Sequence, residues 1–178
     1  MQETKKSGEI LFEGRVFTIE LDQIEFPGGQ TASREVVRHS GGVGVLAIDE
    51  ENQVILVRQY RYAAGREMLE IPAGKLEPGE DSAAAGLREL AEETGYRAGV
   101  YESLGEIIPT GAYCTERIYL YLAKELVPGE THPDEDEYVE LVKMPMAELC
   151  AAIARNEVQD AKTIAAVLRY QLRERDFA

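Results

Sequence analysis

The stretch GKLEPGEDSAAAGLRELAEETGY, Gly74 to Tyr96, decides the fold class of this chain of 178 residues. Its second half predicts a helix, because alanines and leucines follow a residue, Asp81 or Ser82, that can cap a helix start. Gly95 can take the left-handed position that commonly ends a helix. The first half contains Pro78 and the glycines Gly74 and Gly79, which break regular structure, so we predict a loop that leads into a helix.

The predicted helix places two kinds of side chain on opposite sides. With about 100° of rotation per residue, one side holds Ala83, Leu87, Leu90, Ala91 and Thr94. Glu89, Glu92 and Glu93 fall on the other side, where residues three and four apart are neighbours and like charges repel. Two explanations stay open: a solvated face of an acidic protein, or a bound cation.

The spacing of Glu89 and Glu93 suits a hard divalent cation, because Mg²⁺ prefers oxygen ligands and is bound by one or two carboxylates together with a ligand phosphate. Arg88 lies four residues before Glu92 and can hold a carboxylate in a fixed orientation. Backbone carbonyls of the preceding loop are further ligands for such an ion. The loop and the helix together could therefore form a cage of oxygen ligands, and the solvated face stays open as the alternative.

The composition excludes several classes of partner. Acidic residues outnumber basic ones 33 to 19, and this net charge of −14 opposes binding to nucleic acid or an anionic membrane. Cys114 and Cys150 form no CxxC motif, so we expect free thiols. No apolar run approaches the roughly 20 residues of a spanning helix, and no signal peptide opens the chain. We expect a cytoplasmic protein with neither nucleic-acid nor membrane partners.

The remaining patterns predict an α/β (α+β) fold class. A small antiparallel β lobe is indicated from Glu9 to His39, with a turn at Phe26 to Gln30. Further predicted strands are Val43 to Ile48, Val54 to Val57, one beginning at Met68, Val100 to Ile108, Arg117 to Ala123 and Tyr138 to Val142. Helices are predicted at Met146 to Asn156 and from Ala161 to about Arg173.

Within the opening stretch, Gly74, Glu80 and the run Arg88 to Tyr96 match in full the signature G x5 E x7 R E U x E E x G U, where U is bulky and apolar. The chain thus resembles the Nudix hydrolases. The resemblance implies a Nudix fold, a mixed β-sheet sandwiched between α-helices, and a Mg²⁺ site that Mn²⁺ can also fill. It implies a nucleoside diphosphate substrate.

The resemblance also assigns roles within the signature. The implied metal ligands are Glu89 and Glu93, with Glu92 assisting and the backbone carbonyl of Ala73 completing the set. The residues with implied structural roles are Gly74, Glu80, Arg88 and Gly95.

Segments outside the signature, such as EVVRHSGGVGVLAID and DAKTIAAVLRYQL, are similar to the ADP-ribose pyrophosphatase branch. The branch implies hydrolysis of ADP-ribose to AMP and ribose 5-phosphate. Another nucleoside diphosphate sugar, such as GDP-mannose or ADP-glucose, is the alternative, and a non-catalytic nucleotide sensor is a further one. The branch also implies that residues 1–40 form a lobe for homodimerisation and nucleotide contacts, and that residues 41–178 form the hydrolase domain.

Four residues are implied to contact the substrate. Arg61 resembles an arginine that meets a phosphate, and Arg58 accompanies it. Glu116 stands where the branch holds the terminal ribose. Gly111 stands where ADP-ribose enzymes of the branch have proline, so the substrate is less firmly implied than the chemistry. Ordinary surface roles are the alternative for Arg58, Arg61 and Glu116.

The general base is expected outside the helix, because the helix carboxylates would be occupied with metal. The branch takes it from an acidic loop that matches Asp134 to Glu137. We predict Glu135 as the base and Glu137 as a further metal contact or the alternative base. A solvated acidic loop is the competing interpretation. His39 and His132 are weaker candidates.

Overall fold

A computed structural model describes residues 2–129 and 138–176. The chain divides into two compact units, and each has a sheet of its own. The first unit comprises the chain up to Gly41 together with Ile108–Arg117. The second comprises Gly42–Ile107 and the chain from Ile118 onward.

The first unit contains the predicted antiparallel lobe. Its strands are β1 (Thr4–Glu13), β2 (Phe17–Glu25) and β3 (Thr31–His39), hydrogen-bonded in the order β1-β2-β3. The predicted turn between β2 and β3 is closed by two backbone bonds, in which the Phe26 N–H donates to Gln30 O and the Gly29 N–H donates to Phe26 O. The strand pattern and the turn are thus confirmed.

The segment Ile108–Arg117 lies beside β3. The Val37 N–H donates to Tyr113 O at 2.7 Å, and the Thr115 N–H donates to Val37 O at 2.9 Å. The division of the sequence at residue 41 placed this segment with the hydrolase domain, whereas it packs in the first unit. Gly111 and Glu116 are therefore residues of the first unit.

The second unit has a mixed sheet of seven strands. Five follow the order β10-β5-β4-β9-β8, while β6 pairs with β5 and β7 pairs with β4. The pairing of β4 with β9 is parallel and the other pairings are antiparallel. The strands are β4 (Gly42–Ile48), β5 (Gln53–Arg61), β6 (Arg66–Glu70), β7 (Ala73–Lys75), β8 (Tyr96–Ile107), β9 (Ile118–Pro128) and β10 (Glu140–Pro145), with a 3-10 turn at Tyr62–Ala64.

Helices cover both faces of this sheet. They are α1 (Ser82–Thr94), α2 (Met146–Ala154) and α3 (Ala161–Asp176). Strand β4 is buried along its whole length, and its side chains alternate between two cores. Val43, Val45 and Ala47 pack with Leu90 of α1, whereas Leu46 and Ile48 pack in the core that α2 and α3 share. The mixed sheet between helices is the predicted fold.

Two further expectations concern the cysteines and membrane spans. Cys114 and Cys150 are free thiols, as predicted. Within the part of the chain that the structure describes, no helix combines the length and the apolar character that crossing a bilayer requires.

Candidate active site

Helix α1 carries the signature residues and has defined ends. Asp81 is its N-cap, and one carboxylate oxygen accepts from the N–H groups of Ala83 and Ala84, both at 3.1 Å. Gly95 follows the helix with φ of 73°, in the left-handed region, and its N–H donates to Ala91 O. Both predicted caps are confirmed, and they fix where along the sequence the helical rotation begins and ends.

The prediction for the faces of α1 was wrong at two positions. Leu87 was assigned to the apolar side but is 40% exposed. Glu93 was placed opposite the apolar side but is only 8% exposed, which excludes the solvated face as its surroundings. The buried residues of the helix are Ala85, Gly86, Leu90, Glu93 and Thr94. Glu93 is buried because its carboxylate has a partner in β7, which the periodicity of the helix cannot reveal.

The turn at Ala73 and Gly74 meets the helix carboxylates directly. The Ala73 N–H donates to Glu93 Oε2 at 2.9 Å. A Cβ built on Gly74 would lie 1.8 Å from Glu89 Oε1, so only glycine leaves room for that carboxylate. The structure thus brings together Ala73, Gly74, Glu89 and Glu93, as the resemblance implied.

Arg88 connects three carboxylates around the helix. Its Nε and Nη2 donate to the two oxygens of Glu80 at 3.0 and 3.1 Å, and its Nη1 donates to Glu89 at 2.8 Å and to Glu92 at 2.9 Å. Glu80 raises the pKa of Arg88 most, with Glu89 and Glu92 adding to the effect against burial. The bond from Arg88 also lowers the pKa of Glu80. Because a guanidinium is a rigid fork, Arg88 sets the direction of all three carboxylates.

The donor set of this turn and helix fits a magnesium ion. Glu89 and Glu93 supply carboxylate oxygens, and Ala73 has a backbone carbonyl in the adjacent turn. Glu92 is the most exposed of the three helix glutamates, with 38% of its side chain exposed against 12% for Glu89. Among residues 2–129 and 138–176, no three His, Cys, Asp or Glu side chains already converge on one point. The predicted ligand set differs from such a cluster, because it combines the carboxylates of Glu89 and Glu93, assisted by Glu92, with the backbone carbonyl of Ala73.

Arg61 is bound by a buried carboxylate. Its Nε donates to Glu70 Oε1 at 2.9 Å and its Nη2 donates to Glu70 Oε2 at 2.6 Å. Glu70 is 1% exposed, whereas 42% of the Arg61 side chain is exposed. This bond raises the pKa of Arg61. Burial would raise the pKa of Glu70, but Arg61 and Lys162 outweigh burial and hold it below its ordinary value.

Neither Glu70, the partner of Arg61, nor Lys162, the second cation at Glu70, was predicted from the sequence. Lys162 Nζ donates to Glu70 Oε2 at 2.6 Å and to Asp160 Oδ1 at 3.0 Å. Two signals were available. Glu70 is a charged residue inside an apolar strand pattern, and Lys162 stands in the first turn of a helix, where a cation is unfavourable.

The other predicted substrate residues lie in different places. Arg58 of β5 is exposed and forms a loose ion pair with Glu140 at 3.6 Å. Glu116 is half-buried in the first unit, 3.8 Å from His39 Nδ1, which accepts from the Gly41 N–H at 3.0 Å. Gly111 is an exposed residue of a turn in the same unit. Their substrate roles stay predictions.

The predicted base lies outside the described residues. This holds for Glu135 and Glu137, and for His132 of the same loop. Their roles also stay predictions.

Comparisons with known proteins show the family. A family model described as "NUDIX domain" matches residues 38–167. The chain is 44% identical over 168 residues to the methanol dehydrogenase activator of Bacillus methanolicus, covering 93% of this chain and 91% of that protein. It is 36% identical over 176 residues to the ADP-ribose pyrophosphatase of Bacillus subtilis strain 168, covering 98% and 95%.

A solved structure shares the fold. The crystal structure of an ADP compounds hydrolase aligns with a TM-score of 0.87 and covers 100% of this chain and 97% of that chain. The two sequences are 23% identical, so this likeness concerns the fold alone.

Proposed function

The chain belongs to the Nudix family and is a hydrolase that acts on a phosphoanhydride, and from this premise we propose that it cleaves ADP-ribose to AMP and ribose 5-phosphate with Mg²⁺. The observation that carries the proposal is the meeting of Glu89 and Glu93 with the turn at Ala73 and Gly74. The identity to an ADP-ribose pyrophosphatase over nearly the whole chain supports the choice of substrate.

In this proposal Ala73, Glu89 and Glu93 hold the metal, and Glu92 assists. A bound Mg²⁺ would neutralise charge on the diphosphate and favour deprotonation of a water. Arg88, itself held by Glu80, would keep Glu89 and Glu92 in fixed orientations, as its hydrogen bonds to these carboxylates support. Mn²⁺ has the same preference for oxygen ligands and is proposed to substitute.

Four side chains or turns are proposed to contact the substrate, each through its own chemistry. Arg61 presents a half-exposed guanidinium, whose planar fork suits a phosphate. Arg58 is an exposed cation on the same strand. Glu116 would accept hydrogen bonds from ribose hydroxyls, and Gly111 would shape the turn before it. A carboxylate of the 134–137 loop, Glu135 or else Glu137, is the proposed base.

A panel of substrates tests the proposal. The protein is incubated with Mg²⁺ and ADP-ribose, GDP-mannose, ADP-glucose, NADH or dinucleoside polyphosphates, and the monophosphate products are separated by chromatography. We expect the highest kcat/KM with ADP-ribose, loss of turnover with a chelator and its return with Mg²⁺. Preference for GDP-mannose or ADP-glucose would establish the alternative substrate class. Binding without turnover of any compound would establish a nucleotide sensor instead.

A second candidate function rests on the 44% identity to a methanol dehydrogenase activator. The chain would then raise the activity of a dehydrogenase, in addition to cleaving a phosphoanhydride. Adding the protein to the methanol dehydrogenase of Bacillus methanolicus, with and without Mg²⁺, tests this function. An unchanged dehydrogenase rate would contradict it without affecting the hydrolase proposal.

We also propose a cytoplasmic homodimer formed through residues 1–40. Exposed large apolar side chains of the first unit support this, since surfaces of this kind commonly mark interfaces: Ile10, Leu11, Phe12, Val16 and Phe17. Light scattering should give twice the mass of the chain. It should give the monomer mass for Phe12→Ser, and a monomeric wild type would contradict the proposal.

A further inference from the structure

The segment Asp160 to Thr163, DAKT, has no role in the function proposed above. Asp160 caps α3, because its Oδ2 accepts from the Thr163 N–H at 2.9 Å and its carbonyl accepts from the Ile164 N–H at 3.0 Å. Lys162 follows in the first turn, where the helix dipole disfavours a cation. A residue outside the helix is therefore needed to stabilise the positive charge of Lys162.

That partner is Glu70, at the end of β6. Lys162 is 7% exposed and Glu70 is 1% exposed, so their contact is shielded from water. The bond of 2.6 Å is charge-assisted, and Asp160 Oδ1 takes a second bond from the same amine. Lys162 therefore spans the start of α3 and the end of β6.

Glu70 also holds Arg61, so one carboxylate serves two cations. The two bonds from Arg61 fix the plane of its guanidinium, while the exposed part of the side chain can meet a ligand. Arg61, Lys162, Glu70 and Asp160 together carry two positive and two negative charges. Without Lys162 the carboxylates would outnumber the cations, and the field around Arg61 would become less attractive to a phosphate.

The same turn of α3 also fixes the backbone that leads to the metal-binding turn. Thr163 Oγ1 accepts from the Ile71 N–H at 2.9 Å, and its hydroxyl donates to Asp160 Oδ2 at 2.6 Å. The next residue, Pro72, accepts from the Val45 N–H at 2.9 Å. Residues 70–73 are thus held by α3 and β4, in addition to the bond between Ala73 and Glu93 of α1.

We propose that Glu70 and Lys162 are positioning residues of the hydrolase: they fix Arg61 against the substrate phosphates and leave its positive charge available to them. This inference rests on the function proposed above, in which Arg61 binds phosphate. Lys162 acts through Glu70 and Arg61 and does not touch the substrate. The start of α3 is therefore part of the machinery that binds the diphosphate.

Kinetics of Lys162→Met test the inference. We expect KM for ADP-ribose to rise by about tenfold, the effect of weakening one charge-assisted contact, while kcat stays within about threefold. KM is the parameter affected because Arg61 binds phosphate in the ground state and the transition state alike. Lys162→Gln, which keeps an N–H donor for Glu70, is the second variant in case the methionine variant does not fold. Lys124→Met, at a partly exposed lysine 3.9 Å from Glu174, is the control and should keep both parameters.

The dependence on Arg61 separates positioning from a general structural effect. In an Arg61→Ala background, which itself raises KM, adding Lys162→Met or Lys162→Gln should raise KM no further. An unchanged KM in the single variants, or an equal rise with and without Arg61, would overturn the positioning role while the wild type remains active. A wild type inactive on the whole substrate panel would overturn the proposed function, and the positioning role with it.

Discussion

Two groups of ion-paired side chains in the second unit consist of similar residues but differ in their balance of charge. The Arg88 cluster contains one guanidinium and three carboxylates, those of Glu80, Glu89 and Glu92. The Glu70 clamp, formed by Arg61, Glu70, Asp160 and Lys162, contains two cations and two carboxylates. A list of ion pairs alone would not separate the two groups.

Burial explains the difference in charge balance. Glu70 is 1% exposed, so an excess charge beside it would be costly in a medium of low polarizability. The side chain of Glu92 is 38% exposed, and water can support the excess negative charge of the Arg88 cluster. A divalent cation would relieve that excess, whereas the Glu70 clamp is already neutral. The balance of charge, taken together with burial, therefore distinguishes a candidate metal site from an internal clamp.

The largest effect is expected from Glu93→Gln, which removes a proposed metal ligand beside the Arg88 cluster. The amide keeps an acceptor for the Ala73 N–H, so the fold should persist. Turnover of ADP-ribose should fall by roughly a thousandfold, beyond the effect of removing a group that merely orients a ligand. Steady-state kinetics and thermal unfolding measure the two quantities. Glu157→Gln, an exposed carboxylate paired with Arg155, is the control, and wild-type turnover in Glu93→Gln would remove Glu93 from the site.

Lys162→Met should have the next largest effect, on stability. It leaves Glu70 buried with one cation fewer, and breaking a buried pair costs about 3 kcal/mol of unfolding free energy. Urea denaturation of the variant measures the loss.

Lys124 provides the comparison, because 36% of its side chain is exposed and its partners are Glu174 at 3.9 Å and the Tyr170 ring. Lys124→Met should change the unfolding free energy by no more than about 1 kcal/mol. Equal small losses in the two variants would show that burial does not separate the Glu70 clamp from a surface pair.

A smaller effect is expected from Arg88→Lys. An amine cannot reproduce the fork that binds both oxygens of Glu80 and also reaches Glu89 and Glu92. The Mg²⁺ concentration for half-maximal activity should rise by about tenfold, because the ligands lose their fixed orientation. Arg155→Lys changes a similar fork, bound to Glu157 on the surface, and should leave the Mg²⁺ dependence unchanged. If the two variants give the same Mg²⁺ curve as the wild type, Arg88 does not orient the ligands.

The smallest effect concerns how the unfolding free energy falls at acidic pH, and it tests the charge state of the Glu70 clamp. The pKa of Glu70 lies below its ordinary value of 4.5, because Arg61 and Lys162 outweigh burial. Its charge therefore stabilises the fold above the ordinary pKa, and this contribution is lost as the pH falls through the lower folded value. Glutamine does not titrate. In Glu70→Gln the slope of the unfolding free energy against pH should therefore be shallower at acidic pH, by up to about 1.4 kcal/mol per pH unit. Urea unfolding at several acidic pH values measures the slope, and parallel curves for variant and wild type would contradict a depressed pKa.

Local features of the sequence predicted much of the fold and of the Arg88 cluster. The caps Asp81 and Gly95, the turn after Phe26 and the buried run of β4 all depend on residues that are close in sequence. The Arg88 cluster was predictable for the same reason, since Glu89 and Glu92 are one and four residues from Arg88.

The Glu70 clamp could not be predicted in this way. Glu70 and Lys162 are 92 residues apart, so no short spacing in the sequence connects them. The burial of Glu93 could not be predicted for a related reason, because the turn at Ala73 approaches α1 from another part of the chain.

The sequence by itself determined the family, the mixed α+β class, the ends of α1 and the residue types of the candidate metal site, because these follow from short spacings and backbone preferences. Only the tertiary structure decided which carboxylates are buried and which cations meet them. The physical reason is that the energy of a charge depends on its surroundings, and distant segments supply those surroundings. Arg61 and Lys162 neutralise Glu70, and the approach of Gly74 makes Glu89 a candidate ligand.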